Sequence, residues 1–107
     1  MTRKIYRQGD IIFQPIARLP RGAAKTGRYE LIITGETGHT HTLAGVTIYQ
    51  ESIRAGSVAL AVVPEGGAMV VHDSPQPHDP VSLPAGIFRV FREREYDPER
   101  VIRDTVD

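Results

Sequence analysis

Apolar and β-branched residues come in short runs along this chain, and Gly or Pro separates most runs from the next. Runs of strand length cover 11–17, 29–34, 39–43, 46–50, 58–63, 68–72 and 87–94. Such lengths suit strands and fall short of an ordinary helix. Ten Gly and eight Pro supply the breaks, and Gly66-Gly67 reads as a hairpin turn. Short strands at this spacing predict an all-β fold, a small barrel or β-sandwich, rather than alternating strands and helices. Only the end departs from that rhythm. Asp97-Pro98 has the form of an N-cap with its first-turn residue, and Val101, Ile102 and Val106 add a narrow apolar stripe, which predicts a short helix over 97–106. The segment 73–84 carries Pro75, Pro77, Pro80 and Pro84. Much of it is therefore expected to be a stiff, extended loop.

Composition narrows the class. A chain of 107 residues suits one domain over 1–107, with residues 1–10 as a basic N-terminal arm. The hydrophobic share of 40% and charged share of 24% are those of an ordinary globular protein. The chain has no Cys, which excludes a disulfide scaffold, a thiolate zinc finger and a cysteine nucleophile. No apolar run approaches the roughly 18 residues of a membrane span, and no signal-peptide core precedes Gln8-Gly9-Asp10. A cytoplasmic protein with no membrane association is the expectation.

The formal charge is zero, but it is unevenly spread. Residues 1–28 hold Arg3, Lys4, Arg7, Arg18, Arg21, Lys25 and Arg28 against Asp10 alone, a net of +6. Residues 29–88 hold six acids against Arg54, a net of −5. All four His (His39, His41, His72 and His78) lie in that acidic middle, where a cation site is favoured over an anion site. The basic stretch offers nucleic acid a contact, but neutralising the acidic body is the simpler role, and nucleic acid ranks last among partners.

The sharpest pattern is Gly35-Glu36-Thr37-Gly38-His39-Thr40-His41-Thr42-Leu43. On a strand, residues two apart share a face, so His39, His41 and Leu43 project together. If Leu43 marks the core side, both imidazoles point inward, where neighbouring rings can chelate one ion. His72 ends an apolar run and His78 lies beyond a Pro-containing bend, so the four His form two clusters that one ion can join. Neutral imidazoles suit a divalent transition metal (Zn, Fe, Ni or Cu) better than Mg or Ca. Glu36, Asp73 and Asp79 flank the histidines and are candidates to ligate, to hold a ligand's ring or to act as a base. Phe88 and Val90 are expected to face the core, with the neighbouring Arg residues solvated or paired to Glu93 and Glu95.

Two resemblances attach to these residues. A His-x-His strand in a Gly- and Pro-punctuated β chain resembles the cupin superfamily. Its second motif is kept in part by Pro84-Ala85-Gly86-Ile87-Phe88-Arg89, which has the Pro and the Gly but Arg in place of the His ligand. The resemblance implies a metal-binding cupin-like barrel and carries over a ligand role for His39 and His41, with His72 and His78 standing in for the missing members. Gln8-Gly9-Asp10-Ile11-Ile12, Thr37-Gly38-His39-Thr40-His41, His78-x-Pro80-x-x-Leu83-Pro84-x-Gly86 and Arg94-Glu95-Tyr96 together are similar to a small uncharacterised bacterial family. That similarity implies a stand-alone domain of about this length.

The leading expectation is a small metal-binding protein whose metal ligands are His39, His41, His72 and His78. Arg89 is then the candidate to hold the carboxylate of a small-molecule ligand, because its fork suits bidentate recognition. The alternative is a non-catalytic assembly or regulatory module, a homo-oligomer in one version, in which the histidines only stabilise the fold.

Overall fold

A computed structural model describes residues 4–36, 38–51, 56–73 and 79–96. Ten strands run in order: β1 (Tyr6–Gln8), β2 (Ile11–Ile16), β3 (Ala24–Lys25), β4 (Glu30–Thr34), β5 (Thr40–Ala44), β6 (Thr47–Gln50), β7 (Ala59–Val63), β8 (Ala68–Asp73), β9 (Val81–Leu83) and β10 (Gly86–Arg92). A 3-10 turn at Glu93–Glu95 follows. Among the described residues no helix is long and apolar enough to cross a membrane.

The strands form two antiparallel sheets. Sheet A has the order β1-β2-β10-β7-β6-β3, and sheet B has the order β4-β5-β8-β9. The all-β expectation holds. The barrel does not: sheet A ends at β1 and β3, sheet B ends at β4 and β9, and no closed barrel forms among the described residues. One apolar core lies between the sheets. Ile11, Phe13, Ile48, Ala61, Phe88 and Val90 come from sheet A, and Leu31, Ile33, Leu43, Val70 and Leu83 from sheet B. Alternation in β4 (Leu31 and Ile33 buried, Glu30, Ile32 and Thr34 exposed) shows a strand with one face on that core. Truncating Phe88, 2% exposed, to Ala would cost about 3–5 kcal/mol by the usual cavity penalty.

Two segments carry strands that the apolar runs do not mark, and one turn needs correction. Within the basic arm, Tyr6–Gln8 pairs with Ile11–Phe13 as the edge of sheet A, and Arg7 forms an ion pair with Glu93. Within the Pro-rich stretch, Val81–Leu83 pairs with Ala68–Val70. Edge position explains this, because an edge strand tolerates flanking Pro that a central strand does not. Gly66-Gly67 turns the chain, with the Gly67 N–H donating to the Pro64 carbonyl at 2.8 Å. The strands it joins belong to different sheets, so the turn is an arch from β7 to β8 and not a hairpin. The predicted helix over 97–106 lies outside the described residues.

Candidate functional site

Two histidines meet at one end of the core. β5 and β8 are neighbours in sheet B with His41 directly opposite His72, and Ile33 of β4 stands opposite His41 on its other side. The burial pattern of β5 puts His41 and Leu43 on the inner face, and that of β8 puts Val70 and His72 there. Cross-strand partners on one face stand close enough to touch. The His41 and His72 ring centroids are 4.6 Å apart, and the half-buried His39 ring is 5.6 Å from His72. His41 is 2% exposed and His72 8%. His72 thus stands next to both His41 and His39, a meeting that the pairing of β5 with β8 produces.

Sheet A reaches the same place through a tight turn. The hairpin register pairs Gln8 with Ile11, leaving Gly9 and Asp10 as a two-residue loop. Gly9 has φ 58° and Asp10 has no positive φ, the pattern of a type II′ hairpin, which needs Gly at its first loop position. The turn delivers two polar side chains to His41. Gln8 is buried, and its Nε2 donates to the carbonyls of Val70 (3.0 Å) and Asp79 (3.2 Å). Carbonyls only accept, so those bonds fix which end of the amide is nitrogen. Gln8 Oε1 then faces His41 Nδ1 at 2.9 Å. An amide oxygen cannot donate, so Nδ1 carries a hydrogen and donates it. In the neutral ring the lone pair is therefore on Nε2.

Beyond that nitrogen stands Asp10, whose Oδ1 is 3.8 Å from His41 Nε2. Its other oxygen, Oδ2, accepts the Glu36 backbone N–H at 2.9 Å. Two glycines border the gap. A Cβ on Gly35 would lie 2.5 Å from Asp10 Oδ1 and 3.3 Å from His41 Nε2, and one on Gly9 would lie 3.2 Å from His41 Cε1.

The remaining candidates are more dispersed. Glu36 contributes its backbone N–H to Asp10, and its side chain is exposed. Asp73 is exposed at the end of β8 opposite Thr40, whose hydroxyl donates to it at 3.5 Å; alternation directs it to the opposite face from His72. Asp79 offers its carbonyl to Gln8. His78 lies outside the described residues. Among the described residues, no group of three or more His, Asp or Glu side chains stands in a geometry that would hold a metal ion.

Arg89 lies on β10 of sheet A, whereas the His41–His72 pair belongs to sheet B. Phe88 and Val90 enter the core as expected, but Arg89 is neither solvated nor paired with Glu93 or Glu95. Its side chain is 4% exposed and pairs with Glu51, itself 6% exposed. The bonds are bidentate, Nε to Oε1 at 3.0 Å and Nη2 to Oε2 at 3.2 Å. The Ser57 hydroxyl donates to the same carboxylate at 2.6 Å, while Arg89 Nη1 is buried without a hydrogen-bond partner among the described residues. The outer face of sheet A is covered rather than wet, as the burial of Leu60, Ile12 and Phe91 also records.

Sequence reasoning missed Gln8 and Asp10, which touch His41 from across the core. Gln8-Gly9-Asp10 carries no signal that points to a histidine more than 30 residues away.

No curated protein and no solved structure matches the chain. A family model described as a domain of unknown function (DUF8820) matches residues 7–93. That span includes Gln8, Asp10 and all four histidines, and the chain belongs to this family.

Proposed function

We propose that this domain binds a divalent transition-metal ion at the end of its two-sheet core. His39, His41 and His72 are the candidate imidazole donors; the fourth candidate, His78, lies outside the described residues. The observation that carries the reading is the Gln8–His41 hydrogen bond. Metal-ligating histidines almost always donate their second ring N–H to an oxygen, which fixes the tautomer and aims the ligating nitrogen. Gln8, held by two backbone carbonyls, does this for His41. The adjacent rings of His72 and His39 supply further donors without a change of strand register. Zn, Fe, Ni and Cu all suit imidazole. Such an ion, with an open coordination position, polarises a bound water or small molecule. The likeness to cupins is part of the same reading and rests on His39 and His41 leading one strand of a two-sheet β fold.

A non-catalytic version has its own support. His41 and His72 are almost wholly buried, and a closed site would serve to pin β5 to β8. An ion present at 100 times its Kd adds about 2.7 kcal/mol to stability.

Metal analysis of the purified full chain tests both versions. One equivalent of a transition metal, lost in His41→Ala and reduced in His39→Ala, is the expected result. His39 is only half-buried, so its replacement keeps the test valid if His41→Ala fails to fold. A folded wild-type chain that takes up no Zn, Co, Ni, Cu or Fe overturns the proposal.

A further inference from the structure

We infer that the far end of the core holds a separate site, a half-open pocket that takes a small organic monocarboxylate with an apolar body. It does not depend on the histidines. His41 sits beside the Gly9–Asp10 turn that precedes β2, whereas the pocket lies around Pro15 and Ile16 at the other end of that strand.

The shortness of β1 makes the space. β1 pairs with β2 only as far as Tyr6 opposite Phe13, while β10 follows β2 to Ile16. Past Phe13, β2 therefore has a strand on one side only among the described residues. Pro15 stands on that open edge and has no N–H to offer it, which discourages another strand from closing the gap. The resulting cavity measures about 500 Å³ and is lined by Tyr6, Pro15, Ile16, Pro84, Ile87 and Phe88. Small-molecule sites are typically about 300–1,000 Å³ and mostly apolar, with a few placed polar groups.

One charge marks the pocket. Lys4 also lines it, and among the described residues no acid does. No carboxylate of the described residues pairs with Lys4. Its Nζ instead lies 5.1 Å from the centre of the Tyr6 ring, within reach of cation–π attraction. Tyr6 in turn packs edge-on against buried Phe88, with centroids 6.0 Å apart. The core thus positions the ammonium through two packed rings and sets no acid against it. A lone ammonium beside an apolar wall matches one negative charge on an apolar body. A phosphate ester, with a charge of about −1.5 to −2, would meet one cation only.

Heteronuclear NMR of the full chain, titrated with phenylbutyrate and with octanoate, tests the assignment. The expected result is amide shifts at Ala17, Gly86 and Ile87, all at the pocket. Phenylbutanol, the neutral analogue, should bind about 5-fold more weakly than phenylbutyrate, the modest ratio that an exposed cation supplies. Lys4 is exposed, so Lys4→Met should fold normally and bind acid and alcohol alike. Ala85→Phe, at another exposed position of the lining, should fill the pocket and abolish binding of both. Acids that move no pocket amide at millimolar concentration overturn the proposal. So does equal affinity for acid and alcohol in the wild type, or an acid preference that survives Lys4→Met, because Lys4 would then not select the ligand. Shifts that persist unchanged in Ala85→Phe would put the ligand elsewhere, with the same consequence.

Discussion

Gln8 Oε1 lies 2.9 Å from His41 Nδ1, joining the edge strand of one sheet to the inner face of the other. The same side chain donates to Val70 and Asp79 on the sheet B side, so one amide both ties the sheets together and sets a ring tautomer. Gln8→Leu removes every partner at once. Each buried polar group left unpaired costs about 1–3 kcal/mol, and several are orphaned here. A loss of at least about 2 kcal/mol in urea denaturation is expected from that range. In the wild type, long-range proton–nitrogen NMR should report a hydrogen on His41 Nδ1. A Gln8→Leu chain as stable as the wild type would sink this account.

Two glycines separate backbone strain from contact with His41. Gly9 and Gly22 both have positive φ, 58° and 81°, but a Cβ on Gly22 meets nothing within 4 Å among the described residues. At Gly9 it would lie 3.2 Å from His41 Cε1. Both Gly→Ala changes should cost the left-handed penalty of about 1–2 kcal/mol. Gly9→Ala should cost more, and it alone should move the His41 ring resonances. Equal losses with unchanged His41 resonances would show that the ring does not feel the turn.

The Arg89–Glu51 pair predicts a non-additive cycle. Both side chains are buried and bonded in bidentate fashion. Removing one member strands the other charge and typically costs about 3–5 kcal/mol, whereas replacing both with apolar residues is often close to neutral. Arg89→Met and Glu51→Leu should each destabilise strongly, and the double variant should recover most of the loss. Two single losses that simply add in the double variant would refute the coupling. Because Glu51 already occupies the Arg89 fork, Arg89→Met is expected to lower stability before it lowers affinity for any small carboxylate.

The seven strands legible in the sequence are those whose apolar runs feed the core, and the three missed are edge or two-residue pieces. β1 buries Gln8 rather than an apolar residue. β3 is two exposed residues, and β9 is three residues between Pro80 and Pro84. None buries enough apolar surface to leave a periodic trace. In the site, the inward turn of His41 with Leu43 was legible from strand alternation, a local rule, whereas His72 reaches His41 only through the pairing of β5 with β8. Gln8 and Asp10 were not legible, because sheet-on-sheet packing brings them to His41. Arg89 was misread for a related reason. Alternation with Phe88 and Val90 correctly put it on the other face of β10, but that face is covered too. A pattern along one strand says which face a residue takes, not what lies over it.

Tyr96 makes stability depend on alkaline pH. Its ring packs edge-on against Phe91 with centroids 5.3 Å apart, and its hydroxyl donates to Gln14 Oε1 at 2.8 Å. Burial raises its pKa, because desolvation penalises the phenolate. In the unfolded chain the phenol has its ordinary value of about 10. The folded state therefore holds the proton more tightly than the unfolded state. Its contribution is fully present below about pH 10 and declines as pH rises through the folded-state pKa. Tyr96→Phe should cost about 0.5–1.5 kcal/mol near neutrality through the lost hydrogen bond. Above pH 10 it should lose stability less steeply than the wild type, so the two curves draw together. Urea midpoints at pH 8 and about pH 11, the latter above the unfolded phenol value, decide the matter. A constant difference between the two proteins across that interval would mean that Tyr96 does not titrate with folding.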